Sequence, residues 1–320
     1  MSGPRILVIR IGSMGDVIHA LPAAATLKHG FPGSTLSWVV DARWAPLLEG
    51  NPFVDGVILF RRNLRGLGET WRELRAGRFT LAVDFQGLIK SALVALAAHP
   101  EHIFGFHQSQ VREKAAALAY SHRVRVSAGH VVERDLELAA AAGAASVVRR
   151  FPLPEGRAEG ELPAGDFVLA NPVGGWKGKH WPREYYSRLG RRLREEMGLP
   201  LVLNGPPEAA ARLRSMAETL PLMCGLPGLI HATRRATAVV GIDSGPLHLA
   251  AALAKPGVAL FGPTDPARNG PYGESFTVLR SPRAKTSYKR RGEIDPAMRE
   301  ITPEAVFEAL QARLGERVSR

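Results

Sequence analysis

The chain alternates short β-rich runs with helical stretches in two separate series, and this alternation limits the folds open to it. Strands that alternate with helices favour parallel pairing, because each helix carries the chain back across the sheet. The sequence therefore predicts an α/β protein with two Rossmann-like, doubly wound domains that face a central cleft. The first series contains Ile6–Ile9, Leu36–Val40, Val57–Phe60, Leu81–Phe85 and Ile103–Phe106. The second contains Phe167–Ala170, Leu201–Leu203, Ala238–Ile242, Val258–Phe261 and Phe276–Leu279.

A stretch rich in Pro, Gly and Glu, residues 151–166, separates the two series and lacks apolar periodicity. Such a stretch is typical of a linker, so the predicted domains are residues 1–150 and 167–301. A chain of 320 residues is long enough for two substantial cores. A final helix over 302–320 begins at Thr302-Pro303, a capping residue followed by Pro at the first helical position. We expect this helix to pack back across the domains.

Composition excludes several classes of protein. The longest apolar runs, such as Leu93–Ala98 and Leu247–Ala254, are far shorter than the roughly 20 residues that a bilayer span needs. Residues 1–10 lead into a strand rather than into the apolar core of a signal peptide. The single cysteine, Cys224, cannot form an intramolecular disulfide and is predicted to be a small buried hydrophobe. These features predict a cytoplasmic protein.

The chain is strongly basic, with a formal net charge of +12. Of its 42 basic residues 8 are Lys, which leaves 34 Arg. Arginine favours planar, bidentate contacts with phosphate or carboxylate groups, so an anionic partner is expected. Nucleic acid, an anionic membrane surface and a phosphorylated small molecule all fit. The alternative is that the arginine content reflects only genome base composition.

The first motif, Ile9-Arg-Ile-Gly-Ser-Met-Gly-Asp-Val-Ile-His19, leads on from the first predicted strand. Gly12 and Gly15 permit a tight turn with exposed amides at the carboxyl edge of the sheet, where open α/β folds bind ligands. The spacing matches neither the dinucleotide fingerprint nor the P-loop. Asp16 is either a helix cap or a general base. Pro22 predicts a kink or a late start for the helix that follows.

The second motif spans residues 170–183 and again leads from a strand through a loop to a helix. Gly174 and Gly175 let the backbone approach a ligand closely. Lys177 and Lys179 precede the helix that Pro182 opens, and a helix N-terminus with ammonium groups favours a phosphate. A solvated lysine loop is the alternative.

The third motif spans residues 240–252. Ser244 is predicted to cap a helix whose first turn holds Gly245 and Pro246, leaving N–H groups for an anion. Asp243 and His248 lie beside this turn. Alternatively, Asp243 only orients the loop and His248 is a half-buried structural histidine. The turn from Phe261 to Pro266 is a further strand end that is predicted to line the same pocket.

Two basic clusters complete the candidate features. The first, which two acidic residues accompany, is predicted to receive a multiply charged acceptor. It contains Arg61, Arg62, Arg65, Arg72, Arg75 and Arg78, and Arg112 and Lys114 follow later. The second, from Arg280 to Arg291, fits nucleic acid, a membrane or a solvated loop. No Asp-x-Asp pair and no Cys/His metal spacing occurs, so a metal-free mechanism without cofactors is expected.

In combination these motifs resemble the ADP-heptose:lipopolysaccharide heptosyltransferases, glycosyltransferase family 9. The resemblance runs through nearly the whole chain and depends on the order and spacing of six segments. They are Gly12-Ser-Met-Gly-Asp-Val-Ile-His-Ala-Leu-Pro22, Asp84-Phe-Gln-Gly-Leu-Ile-Lys-Ser-Ala92, His130-Val-Val-Glu-Arg134, Lys179-His-Trp-Pro182, Asp243-Ser-Gly-Pro-Leu-His248 and Phe261-Gly-Pro-Thr-Asp-Pro266.

The resemblance implies a GT-B fold and inverting, metal-independent transfer of heptose from ADP-heptose to the Kdo-lipid A inner core. It makes the first domain the acceptor-binding one and the second the donor-binding one. Asp16 resembles the catalytic base, and Lys179 the catalytic cation that neutralises the diphosphate. The implied donor-binding residues are Ser13, Gly15, Gly174, Gly175, Lys179, Glu208, Asp243, Ser244, Gly245, Pro246 and His248. The implied acceptor-binding residues are Arg61, Arg62, Arg65, Gln86 and Arg112.

A lipid acceptor and a basic surface together imply peripheral contact with the inner face of the cytoplasmic membrane. Members of the family often show Asp-Thr-Gly-Leu-Ser-His where this chain has Asp-Ser-Gly-Pro-Leu-His. The alternative is therefore a related transferase that uses another nucleotide sugar or adds a later heptose. A remote alternative is a non-catalytic module that binds nucleic acid. It lacks interleaved aromatic residues and any nucleic-acid motif, so no nucleic-acid partner is expected.

Overall fold

A computed structural model describes residues 3–61, 63–290 and 292–318. The chain divides into two compact units, Met1–Pro154 and Glu155–Arg320, here called unit 1 and unit 2. The division falls inside the segment 151–166. Among the residues described, no helix has the length and apolar character needed to cross a membrane.

Unit 1 contains a six-stranded parallel sheet in the order β3-β2-β1-β4-β5-β6. Its strands are β1 (Arg5–Ile9), β2 (Thr35–Asp41), β3 (Gly56–Phe60), β4 (Leu81–Asp84), β5 (His102–Phe106) and β6 (His122–Val124). Its helices are α1 (Met14–Gly30), α2 (Leu64–Ala76), α3 (Ile89–Ala98) and α4 (Val131–Ala141), with 3-10 turns at Ala45–Leu48 and Lys114–Ala119. In the register, Ile9 at the end of β1 pairs with Val39 of β2 and Asp84 of β4.

Unit 2 contains a second six-stranded parallel sheet, in the order β12-β11-β10-β7-β8-β9. Its strands are β7 (Val168–Asn171), β8 (Leu201–Gly205), β9 (Leu220–Met223), β10 (Ala238–Ile242), β11 (Gly257–Phe261) and β12 (Phe276–Arg280). Its helices are α5 (Arg183–Met197), α6 (Ala210–Arg214), α7 (Leu226–Arg235), α8 (Gly245–Ala252), α9 (Pro266–Asn269), α10 (Pro296–Arg299) and α11 (Pro303–Val318). Two 3-10 turns lie at Lys177–Lys179 and Pro207–Ala209.

The two sheets share one topology. Counted from the first strand of each unit, both follow the order 3-2-1-4-5-6 of doubly wound nucleotide-binding folds. The predicted parallel, doubly wound α/β architecture is thereby confirmed for each unit. The strand order reverses between β1 and β4 in unit 1 and between β7 and β10 in unit 2. Ligands of such folds bind at the carboxyl ends of the strands beside this reversal.

The central strands could be predicted from the sequence because they are buried and therefore continuously apolar. Ile6–Ile9 of β1 and all of β10 and β11 are buried, as expected for strands covered by helices on both faces. In unit 2 the fully buried Trp181 packs in the core, and its indole N–H donates to the carbonyl of Ile301 at 2.8 Å. This bond ties the start of α5 to the segment before α11.

Three local features differ from or extend the sequence predictions. β6 and β9, of which β9 includes Pro221, lie at sheet edges and have mixed exposure, so they lack the buried apolar run that marks the central strands. Of the two outcomes predicted from Pro22, a late start is wrong, because α1 begins at Met14 and contains Pro22, and the kink stays a prediction. The final helix α11 begins at Pro303, as predicted, and contacts α5, β11 and β12 of unit 2.

Candidate functional site

The carboxylate of Asp16 lies at the carboxyl edge of the unit 1 sheet, in the first turn of α1. Its Oδ2 accepts hydrogen bonds from the backbone N–H and the hydroxyl of Ser13, at 2.8 and 2.9 Å. Its Oδ1 accepts one from Nη2 of Arg10 at 3.1 Å, and the side chain keeps 41% of its exposure. Asp16 therefore organises the start of α1 and still presents part of its carboxylate to solvent. The capping role and a catalytic role are compatible.

Arg10 is the residue that holds this edge together, and sequence reasoning did not single it out. The side chain is 7% exposed and follows β1 directly. Its Nη1 donates to the carbonyl of Phe85 after β4, and its Nε donates to the carbonyl of Asp16 at 3.2 Å. An arginine directly after a buried apolar strand was the available signal, because a guanidinium is seldom buried without partners.

Gln86 fixes the loop between β1 and α1. Its Nε2 donates to the carbonyl of Gly12 at 2.6 Å, and its Oε1 accepts from the N–H groups of Ile11 and Gly12 at 2.8 and 3.3 Å. Gln86 is held in turn by Asp84, whose Oδ1 accepts its backbone N–H at 2.8 Å. These bonds give Gln86 a positioning role at the Asp16 loop. Contact with the acceptor stays a prediction.

Asp135 of α4 is a second residue that sequence reasoning missed. Its side chain is 1% exposed, and its Oδ2 has no hydrogen-bond partner. Burial raises the pKa of Asp135 to about 7, with the charge of Asp16 adding to the rise and those of Arg10 and Arg134 opposing it. Since α4 packs against α1, this carboxyl lies in the electrostatic field of the Arg10–Asp16 pair.

The remaining predicted residues of unit 1 lie nearer the surface. Ser13 is exposed and Gly15 is buried in the first turn of α1. Arg61 donates to Glu69 at 2.7 Å, and Nε of Arg65 lies 3.4 Å from the same carboxylate. Arg112 is exposed. Arg62 lies outside the described residues.

In unit 2, Asp243 connects the ends of three neighbouring strands. It follows β10 and is 7% exposed. Its Oδ2 accepts from Nζ of Lys179, in the loop after β7, and from the hydroxyl of Thr264, after β11, each at 2.6 Å. Nε2 of His248 lies 3.6 Å from its Oδ1. The predicted residues Lys179, Asp243 and His248 therefore meet, and the 261–266 turn lies beside them.

The charge state of Asp243 follows from these contacts. Burial by itself would raise the pKa of Asp243, but the hydrogen bond from His248 and the charge of Lys179 hold it well below its usual range. Asp243 is therefore an anion throughout the physiological pH range and orients the Lys179 ammonium. That ammonium also lies 4.9 Å from the centre of the Trp176 ring, and its side chain is 20% exposed.

Packing within the protein does not require glycine at residues 174 and 175. A Cβ at Gly175 would meet nothing within 4 Å, and one at Gly174 would make ordinary contact with Ile242 at 3.4 Å. The carbonyl of Gly174 is instead bonded by Nε2 of His180 at 2.7 Å. The space left open beside this loop fits close approach of a ligand to the backbone.

The start of α8 corrects one prediction. Ser244 occupies the N-cap position, but its hydroxyl donates to the carbonyl of Ile242 at 3.1 Å and does not cap the helix. In the first turn of α8 the N–H of Leu247 donates to the carbonyl of Ser244 at 3.1 Å, and Pro246 has no N–H to satisfy. The N–H of Gly245 is left for an outside acceptor. This is the arrangement that favours an anion.

Two further residues that the sequence analysis singled out lie in unit 2. Glu208 is exposed on the 3-10 turn after β8. Cys224 is buried, as predicted, and its sulfur accepts from Nδ2 of Asn204 at 2.9 Å. Within the described parts of the chain, no three His, Cys, Asp or Glu side chains come together as a possible metal site.

Comparison with known proteins gives consistent matches over most of the chain. The family model for glycosyltransferase family 9 (heptosyltransferase) matches residues 67–297. Lipopolysaccharide heptosyltransferase 1 of Pseudomonas aeruginosa is 33% identical over 303 residues, which covers 87% of this chain and 84% of that protein.

Two solved structures of the Escherichia coli heptosyltransferase WaaC are similar over almost their full length. The structure with ADP has a TM-score of 0.78 and 27% identity, and the match covers 97% of this chain and 99% of that one. The structure with ADP-2-deoxy-2-fluoro heptose has a TM-score of 0.77 and 26% identity, with coverages of 96% and 99%.

The Lys179–Asp243 pair predicts strong energetic coupling. Lys179→Met leaves a buried carboxylate and Asp243→Asn leaves an ammonium without its anion, so each should lower the free energy of unfolding by about 2–5 kcal/mol. The double variant should lose at least about 1 kcal/mol less than the sum. Urea unfolding of the four proteins measures this. The Lys28–Asp55 pair, also at 2.6 Å but with Asp55 40% exposed, is the control and should couple by less than about 1 kcal/mol. Additive losses at Lys179 and Asp243 would contradict the account.

The raised pKa of Asp135 predicts a pH-dependent loss of stability. Between its unfolded value of about 3.9 and its folded value of about 7, the folded protein binds more protons, so the free energy of unfolding falls as pH rises. Asp135→Asn should remove this slope, at most about 1.4 kcal/mol per pH unit. Urea unfolding at low and neutral pH compares the variant with its parent, with Glu101→Gln at the surface as control. Parallel pH profiles for Asp135→Asn and its parent would refute the assignment.

Proposed function

The chain belongs to glycosyltransferase family 9, the heptosyltransferases, and on this premise we propose that it transfers heptose from ADP-heptose to the Kdo-lipid A inner core. It is a GT-B glycosyltransferase of lipopolysaccharide core biosynthesis, and its donor is a nucleotide heptose. The observation that carries the finer proposal is the convergence of Lys179, Asp243 and the α8 N-terminus at the strand-order reversal of unit 2. A donor diphosphate needs such a concentration of N–H groups and positive charge.

Lys179 and the backbone N–H of Gly245, at the start of α8, bind the donor diphosphate in this proposal. The ammonium has three N–H groups and uses one on Asp243, which leaves two for phosphate oxygens. The diphosphate gains negative charge as the bond to the sugar breaks, so these donors stabilise the transition state more than the ground state. Gly174 and Gly175 give the donor access to the backbone, and Glu208 binds the ribose hydroxyls.

Asp16 acts as the general base. Its carboxylate takes the proton from the acceptor hydroxyl as the oxygen attacks the anomeric carbon from the face opposite ADP. The new glycosidic bond forms while the bond to the diphosphate breaks, so ADP leaves with the electron pair and the configuration inverts. Arg10 and Ser13 hold the carboxylate in place, and Gln86 holds the loop before it. Since Lys179 and α8 supply the charge stabilisation, the proposed reaction requires no metal ion.

The acceptor is anionic, and exposed arginines of unit 1 are suited to bind it. Arg61 and Arg65 both contact the carboxylate of Glu69. Arg112 is exposed and lies two residues before the 3-10 turn Lys114–Ala119. Phosphate and carboxylate groups of a Kdo-lipid A acceptor match the planar guanidinium fork. Because the lipid part of such an acceptor resides in a bilayer, we also propose peripheral contact with the inner face of the cytoplasmic membrane.

The base assignment is tested by Asp16→Asn and Asp16→Ala. A positioned base contributes about 10²–10⁴-fold to turnover, so both variants should lose kcat by that order. The dissociation constant for ADP-heptose should stay within about twofold, because Lys179 and the start of α8, which bind the diphosphate in the proposal, belong to unit 2. Steady-state kinetics with Kdo-lipid A and calorimetric titration of ADP-heptose provide the two measurements. Asn keeps an oxygen that accepts from Ser13 and so serves as the conservative variant. Near-parental kcat in folded Asp16→Asn would show that another group is the base.

A further inference from the structure

Exposed large apolar side chains concentrate on one region of unit 1. Of the eleven such side chains among the described residues, six lie on α2, on α3 or in the 3-10 turn Lys114–Ala119. They are Leu67, Trp71, Ile89, Leu93, Leu96 and Leu118, with exposures from 40% to 73%. We call this region, formed by these six side chains, the α2–α3 face. Single exposed leucines need no explanation, but a group of this size on neighbouring elements does.

The geometry of α3 makes the group continuous. Ile89, Leu93 and Leu96 are spaced by four and three residues, so they share one side of the helix, while Ala92 and Ala95 between them are buried. Together with Leu118 they line an open apolar hollow of about 290 Å³ between α3 and the 3-10 turn. Since α2 packs beside α3, the exposed Trp71 belongs to the same side of unit 1.

Exposed basic side chains lie on the same elements as these apolar groups. Lys90 lies on α3, Lys114 begins the 3-10 turn, and Arg112 lies two residues before it. Arg61, Arg65, Arg72 and Arg75 lie on or just before α2. Against these seven cations stand three acidic residues, Glu69, Glu73 and Glu113. Glu69 is paired with Arg61 and Arg65, and Glu113 accepts the backbone N–H of Ile89 at 2.7 Å. The elements of the face therefore combine exposed apolar side chains with an excess of positive charge.

We infer that the α2–α3 face docks unit 1 on an anionic lipid bilayer, with the leucines among the acyl chains and the basic residues at the lipid phosphates. Leucine and tryptophan side chains enter the boundary between headgroups and acyl chains, while lysine and arginine extend from it to the phosphates. Basic residues near an anionic surface add attraction that salt weakens. The inference deepens the proposed function, on which it rests for the reason a bilayer is present.

Vesicle binding tests the inference without using the reaction. Unilamellar vesicles of phosphatidylcholine and phosphatidylglycerol in equal parts are sedimented with the full chain, and vesicles of phosphatidylcholine alone are the lipid control. The parent protein should bind the anionic vesicles, and added salt should weaken binding. Leu93→Ser with Leu96→Ser should reduce partitioning at least about tenfold. Lys90→Glu with Lys114→Glu should also reduce it and remove most of the salt dependence.

The matched control is Val147→Ser with Leu220→Ser, which removes two apolar side chains of similar exposure, 46% and 47%, outside the face. It should bind within about twofold of the parent. Thermal unfolding checks that each variant is folded. If the serine variant does not fold, the charge-reversed variant still tests whether the face binds vesicles. Binding equal to the parent by both α2–α3 variants would overturn the inference. A concentration-dependent dimer that Leu93→Ser abolishes, with no vesicle binding by the parent, would show that a second copy occupies the face.

Failure of the docking surface and failure of the proposed function have separate signatures. Heptose transfer to an acceptor without vesicle binding would exclude the surface and leave the reaction. Vesicle binding that the variants abolish, without any heptose transfer, would keep the surface and exclude the reaction. Leu93→Ser with Leu96→Ser should leave turnover on a detergent-dispersed acceptor within about twofold of the parent, because neither residue belongs to the proposed reaction site.

Discussion

The buried carboxylate of Asp243 is the group on which the candidate donor site depends. It follows β10 and brings together Lys179, from the loop after β7, Thr264, from the loop after β11, and His248, from the first turn of α8. A buried anion is costly without partners, so the three contacts that satisfy it also fix the loops that carry them. The same contacts keep the carboxyl ionised and the ammonium oriented. The Lys179 ammonium is thus held in place by the negative charge of Asp243.

Unit 1 uses the reverse arrangement. There a buried cation, Arg10, ties the end of β1 to the end of β4 and to the carboxylate of Asp16. Both clusters lie beside the reversal of strand order in their own sheet, where parallel strands deliver distant segments to one edge. One topology thus supports a site centred on an exposed carboxylate and another centred on an ammonium and a helix N-terminus. These opposite charges suit the proton removal and the diphosphate stabilisation proposed for the two clusters.

Sequence reasoning predicted the parts of this structure that local composition determines. Buried runs such as Ile6–Ile9 are continuous apolar segments, and their alternation with helices indicated both sheets. The edge strands β6 and β9 carry no such run. The helix α1 begins at Met14, where bonds between Ser13 and Asp16 form its N-terminal cap, and it continues through Pro22. Motif positions located Asp16, Lys179, Asp243 and His248.

The contacts between those residues were beyond prediction from sequence, because they join distant segments. Lys179 and Asp243 are 64 residues apart, and Arg10 and Phe85 are 75 apart. Asp135 was missed because an Asp in a helix with charged neighbours gives no sign in the sequence that it is buried. The hydroxyl of Ser244 can accept from an amide of α8 as a helix cap or donate to a nearby carbonyl, and only the folded backbone shows that it donates to Ile242.

The proposed transfer of heptose from ADP-heptose is tested most directly by comparing sugar donors with one defined Kdo-lipid A acceptor. ADP-heptose, UDP-sugars and GDP-sugars are supplied separately in excess EDTA, and the lipid product is analysed by mass and by the NMR signal of its new anomeric proton. We expect addition of a single heptose from ADP-heptose alone, with one ADP released per product and inverted configuration at the anomeric carbon. An unmodified acceptor with ADP-heptose, or transfer from a UDP- or GDP-sugar in its place, would contradict it.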